Sequence, residues 1–182
     1  KRQSSTDRIK RSLRRLTRVA LVMTSLVVLA GSVVRMTGSG MGCPDWPKCF
    51  GLLIPPTAAD EVTWNSGESY NAGRMLIAND TLWVAQRDVL AADFPQEQSD
   101  GVWEAYTKHD YAVFNPVHTW VEFINRLVGA LTGIPALIIL VLSFWGGWKY
   151  RMWSPFRWAV VHLFFLGLVA WMGKKVVDGN LI

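Results

Sequence analysis

The stretch Asn115–Gly133, NPVHTWVEFINRLVGALTG, sets polar side chains at the mouth of a long apolar run, and its reading decides the fold. Asn115 is a helix N-cap and Pro116 suits the first helical position, where a missing N–H costs nothing. At about 100° per residue, His118, Glu122, Asn125, Arg126, Gly129 and Gly133 share roughly a third of the helix circumference, with Trp120 opposite. One face thus carries an imidazole, a carboxylate, an amide and a guanidinium, followed by a smooth glycine groove. Ionisable groups in hydrocarbon cost about 2.5 to 3.5 kcal/mol each on insertion scales. Such groups should therefore face protein, a cavity or a polar ligand, which makes this face the candidate site.

From Leu127 to Trp148 no charge appears, enough to cross a hydrocarbon core of about 30 Å. Pro135 is expected to kink this helix, and Gly146–Gly147 to end it. Upstream, Val19–Val34 is free of charge and extends to about twenty residues with flanking Arg35 and Met36, whose side chains can snorkel. Downstream, Ser154 and Pro155 open a third apolar segment that ends near Lys174 and Lys175. The chain contains ten Trp, several of them (Trp145, Trp148, Trp153, Trp158, Trp171) near the ends of apolar runs, as in an interfacial belt. The reading is an all-α membrane protein: three transmembrane helices of an expected four-helix half-bundle, with a long extracytoplasmic insert between helices 1 and 2. Its expected parts are a basic tail (1–15), helix 1 (16–36), an outer loop (37–114), helix 2 (115–148), a turn (149–154), helix 3 (155–177) and the start of another outer loop (178–182).

Charge orients these parts. Residues 1–18 hold eight Lys or Arg against Asp7 alone, whereas 37–113 hold eleven acids against four bases. The positive-inside rule puts the N-terminus and the Lys149–Arg157 turn in the cytoplasm, and 37–114 outside. Nucleic acid finds little support as a partner, because the net charge of +5 averages these two regions. The loop TGSGMGCPDWPKCFGLLIPPT is too rich in Gly and Pro for regular structure and holds Cys43 and Cys49, the only cysteines. On an oxidising side they read first as a structural disulfide, with a redox-active pair as the sharper alternative and zinc as the weakest. The acidic insert carries turn signals at Asn65-Ser66-Gly67, Asn79-Asp80 and Asp100-Gly101. Short helices are expected there, for example over 74–90, with His109 on a solvated surface.

On the candidate face, Glu122 and Arg126 stand i, i+4 and can form a simple intrahelical ion pair. Gly129 and Gly133 form GxxxG, which more often marks close helix packing than a cofactor groove, although a flat ring laid on the helix also needs small residues. Arg35 and Arg126, near the interface, suit the carboxylates of such a ring. Of the three histidines, His118 is the metal-ligand candidate, since it shares the polar face; His162 reads as a core histidine.

The combination of GSVVRMTGSGMGCPDWPKCFGLLIPPT, HTWVEFINRLVGALTG and WMGKKVVDGNL resembles the haem A synthase family of cytochrome oxidase maturation. The resemblance covers nearly all of the chain apart from the acidic insert and the basic tail. It implies eight spans in two four-helix halves, of which this chain matches the first three. It implies oxidation of a ring methyl of haem O to a formyl group, giving haem A, with a haem b cofactor in the other half. In the family a Glu, two residues and His-Arg mark the second span, which maps Glu122 as the catalytic carboxylate and Arg126, with Asn125 where the histidine is expected. The departure passes iron ligation to His118 or leaves the substrate without that bond. Val169 and Ala170 likewise replace a common Gln-Gly. Cys43 and Cys49 match a pair that is disulfide-bonded in the family.

The leading expectation is therefore an oxidoreductase of haem biosynthesis in the bacterial plasma membrane. Haem O, membrane lipid, haem O synthase and oxidase assembly proteins are its expected partners. The alternatives are a quinone-linked thiol oxidase working through the cysteine pair, which would need a second pair, and a non-catalytic haem-binding assembly subunit.

Overall fold

The structure is a computed structural model that describes the backbone of residues 2–90, 101–107 and 113–178 and the side chains of 5–90, 101–107 and 113–175. His109, Asp100 and the closing residues 179–182 lie outside the described residues. Three helices dominate: α1 (Arg2–Thr37), α2 (Pro116–Tyr150) and α3 (Trp153–Asp178). All three are long and apolar enough to cross a membrane. The chain divides into two compact units, one of Lys1–Val33 with Ile124–Val176, the other centred on Val34–Phe123.

In the helical unit, α1 is one helix that runs on through the basic stretch. Its least accessible residues, Ile9, Leu13, Leu16, Ala20, Met23, Val27 and Ala30, recur at alternating spacings of three and four, the repeat that keeps one seam against a neighbouring helix. On α2 the buried seam is small and hydroxylated: Thr132, Ala136, Ser143 and Gly146. Thr132 returns its hydroxyl to the Val128 carbonyl at 2.8 Å and Ser143 to that of Leu140 at 3.0 Å, so neither polar group is buried without a partner. Pro135 lies inside a helix that continues on both sides of it.

Gly146 and Gly147 do not end α2, which runs on to Tyr150. Their small size serves packing instead: a Cβ on Gly147 would stand 2.8 Å from Cε3 of Trp153. The turn narrows to Arg151, whose φ of 57° is left-handed, and Met152, whose N–H reaches back to the Gly146 carbonyl at 3.3 Å. α3 correspondingly begins at Trp153, earlier than expected.

The other unit departs from the all-α expectation. Residues 74–90 are not helical but lie in antiparallel strands: β1 (Ser69–Tyr70), β2 (Met75–Ala78), β3 (Thr81–Ala85), β4 (Val89–Leu90) and β5 (Trp103–Ala105). They form one sheet of order β2-β3-β5 and a small β1-β4 pair. The reason lies in MLIA and TLWVA, two short apolar runs split by Asn79-Asp80 at φ 47° and 54°, the left-handed pair that closes a two-residue hairpin. Strand alternation then sends Met75, Ile77, Leu82 and Val84 to one cluster, with Cys43, Cys49, Phe50 and Val62. The other face sends Leu76, Ala78, Trp83 and Ala85 to a second cluster with Tyr70 and Trp103. A sheet with apolar neighbours on both faces has no polar stripe to signal a strand, which is why 74–90 read as a short helix.

Candidate functional site

The loop after α1 is built around its glycines. Cys49 and Leu52 pair backbone to backbone, with N···O distances of 2.8 and 3.1 Å, around a tight turn at Phe50 and Gly51, where φ is 55° and 77°. At Gly51 a Cβ would collide with the Gly73 carbonyl. Asp45 Oδ2 accepts the Gly51 N–H at 3.0 Å, and the Tyr106 hydroxyl donates to the Pro44 carbonyl at 3.0 Å. Cys43 and Cys49 are joined in a disulfide, and both are fully buried.

This loop docks on the first turns of α2. Asn115 caps the helix, its Oδ1 accepting the N–H of Val117 at 3.0 Å and of His118 at 3.3 Å. Gly42 lies so close that a Cβ there would collide with the His118 carbonyl. The Thr119 hydroxyl stands 2.9 Å from both the Gly42 and the Asn115 carbonyl oxygens. One turn on, Glu122 is only 3 % exposed, and its Oε2 accepts the Cys43 N–H at 2.8 Å. The carboxylate is thus tied directly to the backbone of a disulfide cysteine. Phe114 and Phe123 pack on the disulfide cluster from either side of this turn.

The other predicted residues are distributed as follows. His118 is half-buried beside Glu122's turn, and Arg35 is exposed at the end of α1. In the helical unit, Asn125 Oδ1 stands 4.0 Å from where Gly31 would carry a Cβ, so this amide faces α1. Arg126 is half-buried on the same turn. A Cβ on Gly129 or Gly133 would meet nothing within 4 Å, leaving open space along α2. His162 is half-buried on α3. Among the described residues no group of three or more His, Cys, Asp or Glu forms a metal site.

Sequence reasoning missed Gly42 and Thr119. Thr119 is three residues before Glu122, hence on the same helical face, and that spacing was the available signal. Gly42 was hidden among neighbouring glycines of the same loop.

Elsewhere in this unit, charge is tuned locally. Arg74 donates from Nη1 to the Phe50 carbonyl at 3.2 Å and from Nη2 to the Glu61 carbonyl, and burial pushes its pKa down. Hydrogen bonds from the Thr57 hydroxyl and from the Thr57 and Ala58 amides hold Glu61 below the usual carboxylate range. Burial raises the Tyr70 hydroxyl above its ordinary value.

Residues 14–75 match the COX15-CtaA family of cytochrome oxidase assembly proteins. The resemblance to the haem A synthase family holds over this segment. The heme A synthase of Shewanella oneidensis is 46 % identical over 48 residues, 26 % of this chain, and that of Symbiobacterium thermophilum 54 % identical over 35 residues, 19 % of it. The matches span only 14 % and 11 % of those two heme A synthases. No solved structure matches the chain. The segment that matches the COX15-CtaA family, residues 14–75, holds Arg35, Gly42, Cys43 and Cys49, while the α2 residues that dock on it fall outside the matched residues.

Proposed function

We propose that this chain is the first part of a haem A synthase, a multi-pass protein of the bacterial plasma membrane with its N-terminus cytoplasmic and residues 37–114 outside. It supplies three spans of a four-helix half-bundle that takes haem O as substrate and oxidises a ring methyl to the formyl of haem A. The observation that best supports this reading is the buried Glu122 carboxylate fastened to Cys43, in the loop whose sequence is similar to haem A synthases. A carboxylate kept from water and held on one oxygen by a fixed amide is oriented to take up a proton or to position water at the methyl carbon. Arg35 and Arg126 hold the propionates of the substrate. The open flank of Gly129 and Gly133 leaves room for the flat ring. His118 offers an imidazole to the substrate iron in place of the motif histidine that Asn125 replaces.

A resident haem b supplies redox chemistry when bound. The resemblance to the haem A synthase family assigns that group to the half of the enzyme that this chain does not match. Haem O synthase and oxidase assembly proteins are proposed as partners that hand over substrate and receive product.

The test is haem extraction and chromatography from cells that make haem O, comparing native protein with Glu122→Gln and His118→Ala. Glu122→Gln retains an acceptor for the Cys43 N–H, so the protein should accumulate normally and bind haem O without making haem A. Native levels of haem A from that variant would reduce Glu122 to an anchor for the loop and remove its catalytic role. Loss of haem A in His118→Ala, with haem O binding weakened, would support iron ligation.

A further inference from the structure

Thr119 and Glu122 grip the two ends of one peptide group. The Thr119 hydroxyl stands 2.9 Å from the Gly42 carbonyl oxygen, and the N–H of the same peptide bond, that of Cys43, donates to Glu122 Oε2 at 2.8 Å. A peptide group is planar and trans, so its C=O and N–H point in opposite directions and turn together. Whatever fixes the carbonyl therefore fixes the direction of the N–H, and with it the place where the carboxylate oxygen is held.

Gly42 does not fix that plane by itself. A Cβ there would collide with the His118 carbonyl, so the close approach of the loop to α2 requires glycine. Glycine is also the residue that least hinders rotation of the adjoining peptide. Thr119 supplies the missing restraint. It is buried, and its hydroxyl also lies 2.9 Å from the Asn115 carbonyl one turn back. A β-branched threonine in a helix has few χ1 choices, and the one that reaches toward the i−4 carbonyl sets this hydroxyl between the two carbonyl oxygens. The Asn115 carbonyl already accepts the Thr119 N–H at 3.1 Å, so the single hydroxyl proton satisfies more when given to Gly42. The disulfide sulfurs lie against the same atoms, Cys43 Sγ 3.7 Å from the Thr119 carbonyl and Cys49 Sγ 4.0 Å from that of Gly42.

We infer that Thr119 is a positioning residue for Glu122: by donating to the Gly42 carbonyl it holds the Gly42–Cys43 peptide so that the Cys43 N–H orients the carboxylate for oxidation of the substrate methyl. This role rests on the catalytic reading of Glu122 given above, and Thr119 acts only through that side chain. Valine matches threonine in shape but removes the hydroxyl from a buried carbonyl, so the peptide is released to turn and the carboxylate loses its fixed donor.

The experiment purifies full-length native protein, Thr119→Val and Thr119→Ser from cells that make haem O, and extracts the haem of each over time. Bound haem O reports binding, and haem A reports conversion. Thr119→Val should bind haem O at the native level yet form haem A about tenfold more slowly, because a reacting group slightly out of place is costly. Thr119→Ser, which restores the hydroxyl, should recover most of the rate. Protease resistance of the 43–57 loop, expected to be alike in all three, separates a turned peptide from a detached loop. Native conversion by Thr119→Val, or conversion as slow in Thr119→Ser as in Thr119→Val, would overturn the inference. A parallel loss of bound haem O and loop protection would overturn it too, leaving Thr119 as a packing residue. Should Thr119→Val fail to accumulate, Thr119→Ala, which sets no methyl beside the carbonyl, is judged by the same criteria. Failure of the catalytic reading itself looks different: Glu122→Gln then forms haem A at the native rate, whereas failure of the positioning role alone leaves Glu122→Gln inactive and Thr119→Val active.

Discussion

The two units use apolar residues in opposite directions. Between Val34 and Phe123 a core of large apolar side chains points inward, with Phe50, Val62 and Leu76 almost wholly buried around a disulfide and a sheet. In the helical unit many point outward, with Leu21, Val141, Phe164 and Trp158 mostly exposed, while the α2 seam is small and hydroxylated. The same chemistry is inverted because the solvent is inverted: water drives the first arrangement, and hydrocarbon permits the second. Affinity between elements follows suit. The Val34–Phe123 unit is held by specific hydrogen bonds to loop backbone, and the helical unit meets at Gly31 and Gly146 in van der Waals contact and at Gly147 in close approach.

The sharpest way to break this contrast is to place one charge in each unit. Val141→Asp should cost about 3 kcal/mol in membrane insertion. Leu90→Asp, at an equally exposed site on a short strand outside the helices, should stay within about 0.5 kcal/mol. A glycosylation-based insertion assay reads the first and thermal unfolding the second; equal tolerance would mean that Val141 does not face lipid.

Next in size is Gly42→Ala, which forces a methyl into the His118 carbonyl and should destabilise the Val34–Phe123 unit by about 2 to 3 kcal/mol. Gly129→Ala, where nothing stands within 4 Å, should have no such effect on folding. Limited proteolysis of the 43–57 loop distinguishes them.

Replacing both Cys43 and Cys49 by Ser opens a short covalent loop and should cost about 2 kcal/mol, confined to the Val34–Phe123 unit. Circular dichroism should still report intact helices at a temperature where the loop has become protease-sensitive. Simultaneous loss of both would show that the units unfold as one.

The smallest effect concerns pH. Glu61 has its folded pKa lowered, first by the Thr57 hydroxyl, so its contribution is present above the ordinary carboxylate range and fades as pH falls through the folded value. Glu61→Gln should flatten that acid dependence slightly in the Val34–Phe123 unit and leave the helices unchanged. The side chain is fully exposed, so screening keeps the effect small.

Much of the candidate site was legible before any coordinates. The face of His118, Glu122 and Arg126 followed from helical rotation, and the cysteine pair from the side of the membrane it was assigned to. What could not be read was the partner of Glu122. An i, i+4 pair with Arg126 was the obvious local reading, yet the carboxylate also reaches a backbone amide 79 positions away in sequence. Asn125 shows the same limit: it sits in a motif position, but its amide faces α1 at Gly31.

The sequence by itself determined the three spans, because runs of apolar residues cross a bilayer whatever they pack against, and backbone hydrogen bonds within each helix need no partner. It also determined the cap at Asn115, a matter of neighbouring residues alone. Only the tertiary structure decided that 74–90 are strands, that Gly146 and Gly147 receive a neighbour rather than end a helix, and that Glu122 holds Cys43. Each of these depends on a residue distant in the chain: strands need a partner to satisfy their amides, a glycine's role depends on what approaches it, and a buried carboxylate takes whichever donor the fold brings within reach.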